Sequence, residues 1–397
     1  MSGIESKQHS GKNLTEVIKL FLKLGLIAFG GPAAHIAMME DEVVAKRKWI
    51  SRQNFLDLTG ATNLIPGPNS TEMAIHIGYI RAGIPGLIAA GACFILPAAL
   101  ITGAFAFLYV KYGNLPEVKP FLYGIKPAVI IIILNAVYRL GVSAVKEQHK
   151  QPLKWKLISI AVSVAVINFL GVNEIFSILL GGISGALFIY LSSKKNQLSS
   201  IIILHIFSFF SFSYLIQNSD KNEVSLTKLF LVFLKIGAVL FGSGYVLVAY
   251  LNGEIVQGLN WLNRQELLDA VAVGQLTPGP VLSTATFIGY QIARVPGALI
   301  ATLGIFLPSF IFVLIVNPVV PKLRSSKIFS VFLDAVNASA VALMFVVGIK
   351  LGAQVLTEWR TILIAALSIA VFLTVKKINS AYIVLGGAAL GYLFNFF

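Results

Sequence analysis

Asn63-Leu-Ile-Pro-Gly-Pro-Asn-Ser-Thr71 places a Pro-Gly-Pro, which no continuous helix accommodates, in a chain whose long segments otherwise read as helices in lipid. The same break returns as Gln275-Leu-Thr-Pro-Gly-Pro-Val-Leu-Ser283. Prolines remove backbone donors and glycine loosens the chain, so each break frees polar backbone that lipid cannot satisfy. Such a break survives only against protein or a water-filled cavity. The fold therefore turns on what surrounds these two tripeptides.

Composition sets the frame. The 397 residues are 57% hydrophobic and 12% charged, with mean hydropathy +0.83, against about 25% charged in soluble domains. This is an integral membrane protein. Apolar runs such as 84–110, 157–170, 201–216, 296–316, 331–349 and 381–397 have helical length, several near the roughly 20 residues of a span. A β-barrel, with its short alternating strands, is excluded. The polar first dozen residues lack the apolar core of a signal peptide, so the mature chain is expected to begin near Met1. A single cysteine, Cys93, excludes an internal disulfide and a Cys-based zinc site. No cofactor is expected. The net charge of +14 has two readings: a positive-inside bias, and a field that draws anions. Its basic residues fall in short loops between spans, which argues against nucleic acid as a partner.

Self-comparison is the most informative step. Lys23, Gly25, Phe29, Gly30, Glu42, Trp49, Arg52, Asp57 and Pro66-Gly67-Pro68 recur 212 residues later as Lys235, Gly237, Phe241, Gly242, Glu254, Trp261, Arg264, Asp269 and Pro278-Gly279-Pro280. Beyond the break the spacing becomes 211, pairing Gly78-Tyr79 with Gly289-Tyr290 and Leu96-Pro97 with Leu307-Pro308. The chain reads as a first repeat, 1–195, a linking transmembrane helix within 196–222, and a second repeat, 223–397. Lys46, Arg47, Lys48 and Arg52 place the first loop in the cytoplasm, whereas its counterpart near Trp261 carries Arg264 amid Glu254, Glu266 and Asp269. An inverted second repeat fits both, and the extra span 201–216 would supply the inversion. The expected architecture is an all-α polytopic membrane protein of two inverted repeats. Each holds two re-entrant broken hairpins plus full transmembrane helices, a plan of secondary transporters whose site lies at the midplane.

The candidate site follows from the breaks. Gly30, Gly31 and Pro32 interrupt the first hairpin, with Gly242 the second-half match; Pro66, Gly67 and Pro68, then Pro278, Gly279 and Pro280, interrupt the second. Asn69, Ser70 and Thr71 are good cap residues for the half-helix that follows, with Ser283 and Thr284 in the matching place. The positive end of a half-helix favours an anion. Asn63 and Gln275 flank the breaks. Lys23 and Lys235, each six residues before a Phe-Gly break, are either site cations or side chains snorkelling to the interface. Lys126, opposite Asn337, and His76, on the half-helix after Pro68, complete the set. Glu72 is unusual beside an anion; it either pairs with a basic group or exchanges a proton.

Phe29-Gly-Gly-Pro-Ala-Ala-His-Ile-Ala-Met-Met-Glu40, Trp49-Ile-Ser, Phe55-Leu-Asp57 and Leu64-Ile-Pro-Gly-Pro68 closely resemble the chromate ion transporter family in its long two-domain form. The resemblance covers essentially the whole chain. It implies a multi-pass secondary carrier of the cytoplasmic membrane that exports chromate and confers resistance, with sulfate as a related oxyanion. The second half departs from the pattern, since Phe241-Gly-Ser-Gly244 stands where Gly-Gly-Pro is expected.

The reading is alternating-access carriage of a tetrahedral oxyanion, with an anion channel or a carrier of another small anion as the alternative. An enzyme would need a nucleophile–base pair or metal cluster, and five dispersed histidines and one cysteine offer none. Lipid is the surrounding partner, and a homodimer is compatible with an apolar exterior that defines no dimer surface.

Overall fold

The computed structural model describes residues 2–29, 31–62, 65–146, 151–191, 224–241, 244–316, 327–375 and 378–396. Gly30, Asn63, Gly242 and the linking helix expected within 196–222 lie outside the described residues. The described residues form helices and no strand. The first half comprises α1 (Ser2–Ile27), α2 (Pro32–Glu40), α3 (Arg52–Thr62), α4 (Asn69–Tyr112), α5 (Lys119–Lys146), α6 (Gln151–Phe169) and α7 (Glu174–Leu191). The second comprises α8 (Leu226–Val239), α9 (Leu247–Leu251), α10 (Arg264–Leu276), α11 (Thr284–Val316), α12 (Lys327–Val355), α13 (Trp359–Thr374) and α14 (Ser380–Leu393). Four segments, Asn69–Tyr112, Lys119–Val142, Val281–Ile315 and Ser330–Val355, are long and apolar enough to cross a membrane.

The 212- and 211-residue spacings of the sequence are carried into the backbone. A π-helical turn follows α2 at Asp41–Lys46 and follows α9 at Asn252–Gly258. Lys48 and Asn260, 212 apart, both hold positive φ, at 52° and 53°. Ala82-Gly83 breaks α4 with φ −143° and 64°, and Ala293-Arg294 breaks α11 with −139° and 54°. Neither α4 nor α11 is a straight span. Beyond each kink the helix doubles back on itself: a Cβ on Gly78 would strike the Gly86 carbonyl and Ala90, and one on Gly289 the Gly297 carbonyl and Ala301. In α11 the Thr286 and Thr302 hydroxyls meet across the two arms at 2.7 Å. Glycine at these four positions is what lets backbones approach so closely.

At the kink the first half uses Gly83, whereas the second forces Arg294 to φ 54°, ψ −145°, a conformation that side chains with a Cβ rarely adopt. Arg294→Gly is expected to raise stability by about 1 kcal/mol. Thermal unfolding in detergent, followed by tryptophan fluorescence, checks it; an unchanged or lower midpoint would show that the strain is absent.

The remaining helices interlace the two halves. α5 of the first packs against α13 and α14 of the second, and α12 of the second packs against α6 and α7 of the first, while α5 and α12 touch each other. The crossing of α5 and α14 is made on Gly124, Gly387 and Gly391, where any Cβ would meet opposing backbone. Each three-helix group thus draws on both repeats. Around the breaks, α1 lies along α4 and α8 along α11, and α4 and α11 pack on each other.

Candidate substrate site

α1 ends at Ile27, and Gly31, at φ 81°, turns the chain into α2, whose first residue is Pro32. Proline suits that position because a first-turn N–H would have no helical partner. α3 ends at Thr62, and Gly67, at φ 139°, turns the chain into α4. In the second half α8 stops at Val239 before a short 3₁₀ turn, Gly244–Val246. α10 stops at Leu276, and Gly279, at φ 86°, leads through Val281–Ser283 into α11.

These breaks meet, and they meet reciprocally. The Gly67 N–H donates to the Leu240 carbonyl at 2.7 Å, and the Gly279 N–H donates to the Ala28 carbonyl at 2.8 Å. Gly67 and Gly279 are 212 apart, as are Ala28 and Leu240, so each tripeptide break of one half is tied to the first break of the other. A Cβ on Gly31 would lie 2.7 Å from the Tyr245 hydroxyl, and one on Gly244 3.2 Å from Leu282, which brings the other breaks into the same place. The helix ends at these breaks are gathered into one region between the halves.

Side chains finish the volume. His35 Nε2 lies 3.0 Å from the Ala28 carbonyl, so it carries the proton, and Nδ1, 3.3 Å from Ser70 Oγ, accepts from that hydroxyl. His35 thereby links the first break to the start of α4 and stands beside the Gly279 contact. Thr102, on the returning arm of α4, lies 3.1 Å from Ser283 Oγ and 3.4 Å from Thr277 Oγ1. Glu72, with no exposure, turns its carboxyl back over Gly67 beside Ser309 of α11. Thr71 Oγ1 and both His76 nitrogens are buried without a hydrogen-bond partner. Buried polar atoms are nearly always paired, so unpaired ones along a single stretch of α4 are unusual.

Of the residues proposed from sequence, Gly31, Pro66, Gly67, Pro68, Asn69, Ser70, Thr71, Gln275, Pro278, Gly279, Pro280, Ser283 and Thr284 lie at the convergence or within one helical turn of it. Their roles differ from the expectation in one respect. Pro68 occupies the cap position of α4, with no side-chain cap. The Thr71 and Glu72 N–H groups bond the Pro68 carbonyl, Ser70 turns sideways to His35, and Thr284 Oγ1 donates to the Val281 carbonyl. Proline fixes φ at the cap, so the hydroxyls are released for lateral contacts.

The lysines stand elsewhere. Lys23 Nζ is 2.9 Å from Glu42 Oε1, and Lys235 Nζ is 2.9 Å from Glu254, both pairs 19 residues apart. These are matched clamps between the first helix and the return arm of each half, with the lysine side chains about half exposed. Each lies several residues before its break, about 6 Å or more along the helix at 1.5 Å per residue. Glu42 also takes Arg47. Lys126 is 3.8 Å from Asp269 Oδ1, and Tyr109 donates to Asp269 Oδ2 at 2.8 Å. The three line a cavity of about 530 Å³ together with Lys119, Tyr123, Gln265 and Gln354. His76 lies one turn beyond Glu72 on α4 and is 1% exposed.

His35, Thr102, Ser309, Tyr245 and Asp269 were not selected from sequence. A hydroxyl in an apolar helix ordinarily bonds its own preceding turn, so Thr102 and Ser309 carry no distinguishing signal. Asp269 was visible as a repeat residue, but its pairing with Lys126 of α5 was not.

An all-helical, apolar chain of two matched halves, with broken helices meeting between them, defines a membrane transporter. The Chromate transporter family profile matches residues 15–186 and again 227–392. A probable chromate transport protein of Synechococcus elongatus is 32% identical over 97% of each chain. A chromate transport protein of Cupriavidus metallidurans is 32% identical over 95% of this chain and 92% of its own. An uncharacterized transporter of Methanocaldococcus jannaschii is 28% identical over 98% and 96%. No solved structure matches the chain. This chain belongs to the chromate transporter family and is a transporter, not an enzyme.

Proposed function

We propose that the chain carries chromate, and tetrahedral dianions of similar shape such as sulfate, across the cytoplasmic membrane as an exporter working by alternating access. The observation that carries this reading is the reciprocal pair of backbone bonds, Gly67 to Leu240 and Gly279 to Ala28. It sets helix ends of both halves around one volume, where freed N–H groups replace the hydration shell of an oxyanion. The halves are inverted with respect to each other in the membrane, as the uneven loop charges suggest, and the broken segments enter and return as re-entrant hairpins.

A difference between matched positions supports alternating access. Leu268 is 1% exposed and Asp269 3%, whereas Leu56, 212 residues earlier, is 49% exposed and Asp57 half-buried. The second-half hairpin packs through α10 on α5 and α14, and through α9 on α7 and α12. Asn252 of its π-turn reaches Glu174 at the start of α7, whereas Glu40, at the matching place, pairs with Arg52 within its own hairpin. One segment docked on the three-helix groups and its twin packed on α1 and α4 of its own half is the asymmetry that exchange between two outlooks requires.

The test is chromate uptake into everted vesicles or proteoliposomes, with sulfate as competitor. Saturable, sulfate-sensitive uptake is expected for the wild type, and its loss by about 100-fold, some 3 kcal/mol of lost stabilisation, for the combined Asn69→Ala/Ser70→Ala/Thr71→Ala protein. Non-saturating flux would indicate a channel. Normal transport by the triple variant would place the site elsewhere.

A further inference from the structure

Glu72 calls for an explanation that the anion site alone does not give. A carboxylate beside helix ends that attract an oxyanion would repel it, yet the residue lies in the middle of the convergence. It has no exposure and, among the described residues, no ion pair. Ser309 Oγ lies beside the carboxyl, and a Cβ on Gly67 would overlap Glu72 Oε1. The carboxyl therefore touches the break itself.

The architecture does not need it. At the 211-residue spacing that relates the two kinks, Glu72 falls opposite Ser283, His76 opposite Phe287 and Ser309 opposite Ala98. The second half builds the same Pro-Gly-Pro turn, with Gly279 against Ala98, using no carboxyl there. A side chain that one repeat retains fully buried and the other does without serves chemistry, not the turn. Burying a charge without a counter-ion is costly, so such a position suits a group that can take up and release a proton.

Apart from His76, the charged and titratable groups around it are committed elsewhere. On α4 itself Arg81 pairs with Glu16 of α1, and His76, one turn on, has no bonded partner. From α1, Lys23 is drawn to Glu42. From α2, His35 is held between Ala28 and Ser70. α11 offers Ser309. On α10, Asp269 is taken by Tyr109 and Lys126, and on α3 Asp57 lies near Gln53.

We propose that Glu72 is a proton-binding site that couples a proton to the transported anion. Resting on the carrier reading above, the step is simple. The protonated carboxyl presents an O–H to an arriving oxyanion, whereas the carboxylate left when the proton goes to water expels it. Proton and dianion therefore bind with mutual preference and cross together, and the one net negative charge they carry is driven outward by an inside-negative potential.

Two measurements test this at alkaline pH, where chromate is itself a dianion. In proteoliposomes, an acid exterior should drive chromate accumulation by the wild type. Glu72→Gln and Glu72→Ser, the second being the side chain of the matched position, should lose that gradient-driven accumulation while chromate–chromate exchange persists at an altered rate. In unbuffered detergent solution with a pH indicator, adding chromate should raise the pH for wild type and leave it unchanged for both variants. Exchange by a wild type that ignores the gradient would overturn the inference and leave the carrier reading intact. Gradient-driven accumulation by both variants would overturn it too, and absence of any exchange by the wild type would remove both.

Discussion

Gly67→Val is expected to abolish chromate uptake and to lower stability by about 3 kcal/mol, the combined cost of a forbidden backbone angle and an overpacked core. Gly67 sits at φ 139°, and a Cβ there would run into Glu72 and lie 2.8 Å from Ser309 Oγ. Neither neighbour has room to withdraw, since Glu72 and Ser309 have no exposure. Moving the glycine instead breaks its 2.7 Å bond to Leu240 and, with it, one of the two reciprocal backbone bonds between the breaks. Gly67→Ala should fall between valine and wild type. Expression level, unfolding midpoint and vesicle uptake read the three proteins in parallel. A valine variant that unfolds early but still transports would mean that the break is structural and lies off the substrate path.

Lys126→Met is expected to cost about 3 kcal/mol, because it leaves the 3%-exposed Asp269 without its counter-charge. The Tyr109 hydroxyl remains, but one neutral donor does not offset a buried carboxylate. Adding Asp269→Asn should return much of the loss, since asparagine needs no counter-charge. The four proteins of that cycle, unfolded thermally in detergent, give the coupling directly. Additive effects would show that the 3.8 Å pair is incidental. Because Lys126 is on α5 and Asp269 on α10, the pair also holds the docked hairpin. Uptake by the single variant should therefore fall more than its stability alone explains.

The helix breaks were legible in the sequence because Pro-Gly-Pro has one meaning inside an apolar run, and the repeat doubled the signal. Where those breaks meet was not legible. Gly67 to Leu240 and Gly279 to Ala28 are backbone contacts between residues far apart in the chain, and no side-chain pattern announces them. The kinks at Ala82-Gly83 and Ala293-Arg294 escaped for the opposite reason. They interrupt continuous apolar stretches with unremarkable residues, so each helical hairpin reads as one long span. Lys23 and Lys235 looked like buried charges because their neighbours are apolar, and only the fold brings Glu42 and Glu254 within reach. Lys126 stood out as a charge near a span end, and its partner Asp269 comes from the other repeat, which no local pattern shows. Asn69, Ser70 and Thr71 were found as a group, yet Pro68 takes the cap they were expected to provide.

Inversion of the two halves about the convergent breaks is tested most directly by the sidedness of matched positions. Gln53 and Gln265 are 212 residues apart, both exposed, each near the start of its hairpin's second helix. With Cys93→Ser removing the native thiol, Gln53→Cys and Gln265→Cys are treated with a membrane-impermeant maleimide in right-side-out and everted vesicles. Labelling of Gln53→Cys only in everted vesicles and of Gln265→Cys only in right-side-out vesicles is expected; labelling of both from the same face would contradict the inverted arrangement.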